Sequence, residues 1–193
     1  MPNLSVFTAD KFNVVVGGKI GCYNKLNNCT IENSIINSSN ISNCIINGGT
    51  EIEHAFMRGT IVGNNAKIGV FSRLRENSII GNNVKIGNFV ETKNATISTN
   101  SKIPHLSYVG DAKIGKNVNV GCGTVFCNYN GKIKQQTIVG DNVFVGSNSN
   151  LIAPVTIESN SFIAAGSTIT NLVPANALAI ARSRQINKLN YIK

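Results

Sequence analysis

A six-residue period restricts this chain more than any other feature of its sequence. Val139, Val145, Leu151, Ile157, Ile163 and Ile169 stand six apart, and four residues after five of them come Val143, Ser149, Val155, Ser161 and Ser167. A second block repeats the rule with Val62, Ile68, Leu74, Ile80 and Ile86, and with Ala66, Ser72, Ser78, Val84 and Val90 at the matching offset. Six is neither the period of an amphipathic helix nor the alternation of a half-buried strand. It suits a parallel β-helix, in which a short strand and a corner repeat and the coils stack on one another. The aliphatic residue then points inward and the small one fits the tight corner. Gly, which often follows the aliphatic residue, and Asn are expected to supply positive φ at the turns.

Nearer the N-terminus the period loosens to five or six, through Ile31, Ile36, Ile41, Ile46 and Ile52. The expected organisation is an irregular cap at residues 1–13, a β-helix at 14–170 and a C-terminal arm at 171–193. Asn171-Leu172-Val173-Pro174 marks the exit, because proline cannot extend a sheet ladder.

The 193 residues suffice for one domain, and the absence of Trp with only 8 Phe and 4 Tyr implies a thin aliphatic core. Basic residues outnumber acidic ones 18 to 9, but the lysines are dispersed without interleaved aromatics, which argues against nucleic acid. A solvated basic surface is the plain reading of that charge, and a small phosphorylated ligand is the sharper one. No apolar run reaches membrane-spanning length, and Met1-Pro2-Asn3-Leu4 lacks a signal-peptide pattern, so a cytoplasmic protein without membrane contact is expected. The five cysteines contain no Cys-x-x-Cys pair and read as free thiols. Two histidines fall short of a three-histidine zinc site, so no metal is expected.

The repeat breaks its own rule twice, at Pro104-His105-Leu106-Ser107-Tyr108-Val109-Gly110-Asp111 and at Cys127-Asn128-Tyr129-Asn130-Gly131-Lys132-Ile133-Lys134. Departures from a local rule concentrate at functional positions. Histidine titrates where a general base at neutral pH should, which singles out His105. His54 has no such context and reads as structural.

Several strings narrow the reading: Gly87-Asn88-Phe89-Val90-Glu91, His105 to Asp111, Asn119-Val120-Gly121-Cys122-Gly123-Thr124, Asn128-Tyr129-Asn130-Gly131, Val145-Gly146-Ser147, Leu151-Ile152-Ala153-Pro154-Val155 and Leu178-Ala179-Ile180-Ala181-Arg182. Over residues 62–185 the chain closely resembles the acetyltransferase domain of bacterial bifunctional N-acetylglucosamine-1-phosphate uridyltransferase/glucosamine-1-phosphate N-acetyltransferases, members of the hexapeptide-repeat superfamily. That resemblance implies an all-β, left-handed parallel β-helix assembled as a homotrimer. It also implies acetyl transfer from acetyl-CoA to the amine of glucosamine 1-phosphate.

Residue by residue, His105 resembles the family's general base and Glu91 the carboxylate that orients it. Arg75, Lys93, Tyr108 and Lys134 match phosphate and sugar contacts, Asn119 and Asn128 match amides that hold the sugar, and Tyr129 is expected on the same wall. Cys122, Ser147 and Ala165 match the acetyl and pantetheine path, and Arg182 matches a contact to the CoA phosphates. Four positions depart from the family pattern: Asn130 stands for Asp, Cys122 for Ala, Phe126 for a smaller residue and Asn94 for Lys. Cys122 and Phe126 are expected to narrow the acyl channel. No Gly-rich nucleotide loop with magnesium-binding acids precedes residue 62, so uridylyl transfer is not expected. The alternatives are a hexapeptide acyltransferase with another amino-sugar or sugar-nucleotide acceptor, and a non-catalytic solenoid.

Overall fold

The computed structural model describes residues 8–10 and 13–192. Among them the strands form one 25-stranded sheet, with every named ladder parallel, wound into a β-helix of about ten coils. The period explains the winding. Three hexads make an eighteen-residue coil, so Lys67 pairs with Lys85, Arg73 with Glu91 and Thr137 with Val155. Both periodic sets point inward: the aliphatic residues from Val62 to Ile86, the small ones from Ala66 to Val90, and their counterparts from Val139 to Ile169 are all buried. Each coil therefore adds a thin apolar layer, in which burying one isoleucine contributes roughly 1.5–3 kcal/mol.

The looser N-terminal period is a change of coil size. Ile31, Ile36, Ile41 and Ile46 are buried at five-residue intervals, and three such sides make fifteen. Lys25 accordingly pairs with Asn40, and Thr30 with Ile45.

Asparagine and glycine divide the corners differently from expectation. Asn83, Asn100, Asn117, Asn142 and Asn160 hold positive φ of 56–63°, where asparagine is the side chain best tolerated. The Nδ2 of each of the first four donates to the Oδ1 of the next, one coil on, at 3.0–3.2 Å, giving a continuous amide ladder along one edge. The glycines that follow the aliphatic residues do not take positive φ. They permit close approach instead: a Cβ on Gly87 would lie 1.7 Å from the Pro104 carbonyl oxygen, and one on Gly146 2.4 Å from the Ala165 nitrogen.

Most of the expected cap at 1–13 lies outside the described residues; within it, Thr8–Asp10 forms a strand against Lys25–Asn27. At the other end the ladder runs past the expected boundary at residue 170. Val173 is buried and bridges Ile157, and Leu178–Ala179 pairs with Phe162–Ile163. Pro174 does not stop the coil because it falls at a corner, outside the paired segments. The Thr168 N–H donates to Ala181 O at 3.1 Å, which closes the coil, and residues 182–192 are exposed beyond it.

One coil is enlarged. Ala112 pairs with Thr137 and Val125 with Asn150, each 25 residues on, and the surplus forms a loop at 128–136. An antiparallel bridge between Tyr129 and Lys134 ties its base. No helix of the described residues is long and apolar enough to cross a membrane. All five cysteines are free thiols; Cys29 and Cys44 are buried, and burial pushes the Cys44 thiol up to about 11.

Candidate active site

The first break in the sequence rule is not a break in the backbone. The strand Lys102–Ile114 stays in register with Lys85–Ile97 along its whole length, which stacks His105 on Asn88. The next coils continue that corner. Lys102 pairs with Asn119, Val120 with Val145 and Val145 with Ile163, so the same register sets His105, Cys122, Ser147 and Ala165 on successive rungs. Corner hydrogen bonds agree: Gly123 N–H to Leu106 O at 2.8 Å, Asn148 N–H to Cys122 O at 2.7 Å, and Gly166 N–H to Ser147 O at 2.8 Å. At a rung spacing of ~4.8 Å the track runs about 14 Å from His105 to Ala165. His105, Ser147 and Ala165 are exposed and Cys122 is half-buried. Arg182 lies at the end of the track, its Cδ 3.7 Å from where a Gly166 Cβ would stand.

The cations gather past that corner. Arg75 Nη1 donates to Glu91 Oε1 at 3.0 Å, with both side chains about one-third exposed, and this bond holds the guanidinium above its ordinary pKa. The Lys93 side chain lies close to that of Lys134. That contact, reinforced by their like charge and by Arg75, draws Lys93 below the usual amine range, while Asp111 opposes the shift. Two ammonium groups close together beside a guanidinium suit a multiply charged anion.

Beside the cations, Asn128 is buried. Its Nδ2 donates to Asp111 Oδ2 and, at 3.4 Å, to the Tyr108 hydroxyl. Gly110 makes room for this contact, since a Cβ there would lie 2.4 Å from the Tyr108 hydroxyl and 2.7 Å from Asn128 Nδ2. In the loop, the Tyr129 hydroxyl donates to Gly131 O at 2.7 Å. Asn130 Oδ1 accepts from the Lys132 and Ile133 N–H groups at 3.0 and 2.9 Å, a role an aspartate would fill equally, so this departure leaves the loop intact.

Arg75, Lys93, Tyr108, Asn128 and Lys134 thus come together, with Tyr129 next to them. Other expected residues stand apart. Glu91 bonds Arg75, and among the described residues no hydrogen bond joins it to His105. Asn119 pairs with Lys102 and Phe144, on the face that precedes the His105 corner, away from the cations. Phe126 does not line a channel; it is fully buried in the core. His54 lies 3.7 Å from the Glu53 carboxylate and edge-on to Phe71 at 6.3 Å.

Two polar neighbours of the site have no role assigned from the sequence. Asp111 accepts from Asn128 and, at 2.6 Å, from Asn94 Nδ2. Glu76 has its carboxyl held low by a backbone hydrogen bond of its own and then by Arg58, Arg75 and Lys93. A signal for the first was available: Asn94, Asp111 and Asn128 are seventeen apart, the length of the local coil. Among the described residues no three His, Cys, Asp or Glu side chains gather as a metal site.

Comparison with known proteins agrees with the β-helical fold. Residues 59–94 and 136–171 match the bacterial transferase hexapeptide family (six repeats). The bifunctional GlmU proteins of Caldanaerobacter subterraneus subsp. tengcongensis and Clostridioides difficile are 56% and 55% identical over 156 residues, 81% of this chain. The chain spans about a third of the length of these curated relatives, 34% in each case. Among solved structures, a UDP-N-acetylglucosamine acyltransferase from Campylobacter jejuni has a TM-score of 0.59 at 16% identity, over 95% of this chain and 75% of its own. PerB from Caulobacter crescentus, in complex with CoA and GDP-perosamine, has a TM-score of 0.50 at 20% identity, over 56% and 50%. These likenesses identify the solenoid as a left-handed parallel β-helix. With its hexads and stacked coils, the chain carries bacterial transferase hexapeptide repeats at residues 59–94 and 136–171 and is similar, over 81% of its length, to the C-terminal part of the GlmU proteins.

Proposed function

We propose that this chain transfers the acetyl group of acetyl-CoA to the amine of glucosamine 1-phosphate, supplying N-acetylglucosamine 1-phosphate for UDP-N-acetylglucosamine synthesis in the cytoplasm. One observation carries the reading: His105 heads an open four-rung track, and the Arg75–Lys93–Lys134 cluster lies just past its corner. The track suits an extended pantetheine with the CoA phosphates toward Arg182. The cluster suits the sugar phosphate, with Tyr108, Asn128, Tyr129 and Asn119 around the ring.

In this reaction the amine must be neutral to attack, so His105 takes its proton as the C–N bond forms. The thioester oxygen becomes negative and needs donors along the track, where Ser147 and the amides near Cys122 and Ala165 stand. Collapse breaks the C–S bond, and the CoA thiolate receives the proton from His105. No residue of the set requires a metal.

The site is proposed to be completed between copies in a homotrimer. Asn119 and the cations lie on different faces of one coil, so they converge on one ligand only across a contact. Phe71, Phe89 and Leu106 favour that contact at the His105 corner. They hold φ of 58°, 58° and 30° while 63%, 58% and 59% exposed, a strained and solvated apolar column that a second copy would cover.

The test is loss of thioester absorbance with glucosamine 1-phosphate, glucosamine or glucosamine 6-phosphate, with the mass of the assembly measured alongside. Turnover with the 1-phosphate alone, abolished by His105→Ala in a folded assembly, is the expected result. Turnover with no acceptor, or a species of one 20.6 kDa chain that is fully active, would reject the corresponding part of the reading.

A further inference from the structure

We propose that Asp111 is a positioning residue that fixes which end of the Asn128 carboxamide faces the acceptor; this rests on the function proposed above. The geometry is a three-rung polar column. Asn94, Asp111 and Asn128 occupy the same corner of consecutive coils, and Asp111 sits between the two amides at φ 48°. One carboxylate oxygen accepts from Asn94 Nδ2 at 2.6 Å and the other from Asn128 Nδ2.

An amide can be turned over with little change of shape, and turning it exchanges donor for acceptor. An ionised carboxylate removes that freedom because it accepts only. Asp111 must therefore face the NH₂ groups of both neighbours, and the Tyr108 hydroxyl engages Asn128 Nδ2 as well. With both amide hydrogens used, Asn128 Oδ1 accepts no hydrogen bond from the described residues. It is left to accept from a ligand hydroxyl or amine at the edge of the cation cluster. Gly110 keeps the arrangement tight, since any Cβ there would strike both Tyr108 and Asn128.

Asp111→Asn tests this with almost no change in volume. The substituted amide can turn its NH₂ toward Asn128 and reverse it, so the KM for glucosamine 1-phosphate should rise ~10-fold or more, the loss expected for a hydrogen bond to a charged group. The kcat and the KM for acetyl-CoA should stay within about threefold, because neither His105 nor the track is touched. The exchanged double variant Asp111→Asn/Asn128→Asp restores a donor facing an acceptor, with an acceptor still toward the ligand. It should recover most of the loss suffered by either single variant.

An unchanged sugar-phosphate KM in Asp111→Asn, or no recovery in the exchanged variant, overturns the proposal. So does a parallel fall of kcat and both affinities with a lower Tm, which marks a merely structural role. Side-chain amide NMR signals of Asn94 and Asn128 separate this from the function itself. If the wild type turned over no acceptor, the function would fail, while amide signals unmoved by Asp111→Asn would still overturn the clamp.

Discussion

Arg75→Ala removes the guanidinium paired with Glu91, and two magnitudes follow from its setting. The Arg75–Glu91 pair is 3.0 Å long with each side chain about one-third exposed. Pairs so solvated contribute about 0–1 kcal/mol, so the variant should fold with a small change of Tm. Binding is different, because a docked phosphate excludes water from the same groups. One guanidinium charge about 5 Å from one phosphate charge is worth roughly 3 kcal/mol at an effective dielectric constant of about 20. That lies within the ~2–5 kcal/mol seen when one partner of a desolvated charge pair is truncated.

In the thioester assay at saturating acetyl-CoA, the KM for glucosamine 1-phosphate should therefore rise roughly 100-fold, at about 1.4 kcal/mol per factor of ten, with kcat nearly unchanged. Arg75→Lys should recover part of the loss, since it keeps the charge but not the fork. Glu91→Gln added to Arg75→Ala should bind more tightly than Arg75→Ala alone, because it removes a carboxylate left facing the phosphate. An unchanged KM in Arg75→Ala refutes the phosphate assignment. A collapse of kcat on Glu91→Gln, whatever stands at 75, refutes Arg75 as the partner through which Glu91 acts.

Three further outcomes follow. Thr137 Oγ1 is buried without a hydrogen-bond partner among the described residues, in register with Val155, so Thr137→Val should stabilise the fold by about 1 kcal/mol in denaturant titration. Phe126 is fully buried, and Phe126→Ala should cost about 3–5 kcal/mol by the same measurement; a near-neutral result would contradict its place in the core. Lys93 is held below its usual pKa chiefly by Lys134 and then by Arg75, against Asp111. The folded protein thus binds that proton less tightly than the unfolded chain, and stability should rise with pH between the lowered value and the ordinary lysine value. Lys134→Met should abolish that rise while weakening sugar-phosphate binding, and a rise that survives the substitution would contradict the pairing.

The fold was legible because its rule is local and repeated. Every residue of both hexad blocks is buried where the period placed it, and even the five-residue spacing of Ile31 to Ile46 translated into coil size. The end of the solenoid was misjudged because proline's missing donor matters within a ladder and not at a corner, and sequence alone did not separate the two at Pro174. Asn and Gly look interchangeable in composition, yet one bears the left-handed φ and the other the coil contacts. In the site, the cations and Asn128 lie near one another because Arg75, Lys93 and Asn128 fall on the same side of successive coils and Lys134 on the loop that follows. Glu91 did not reveal its partner, since Arg75 lies one rung away across coils and leaves no mark at neighbouring positions. Asp111, inside the singled-out His105–Asp111 stretch, has no assigned role there because an acid at a corner reads as solvated until the coil length aligns it with Asn94 and Asn128.

The rungs also bear on how such a chain assembles. Parallel sheets are ordinarily slow to form because their strands are far apart in sequence. Here most partners are fifteen to eighteen residues apart, a separation near 0.09 of the chain for the seventeen-residue rungs, within the range typical of helical bundles. Closing the 25-residue coil rather than an eighteen-residue one adds only about 0.3 kcal/mol of loop entropy. The loop that presents Lys134 therefore hardly interrupts propagation from coil to coil. Coils can be gained or lost at the N-terminal end without delaying those that carry His105.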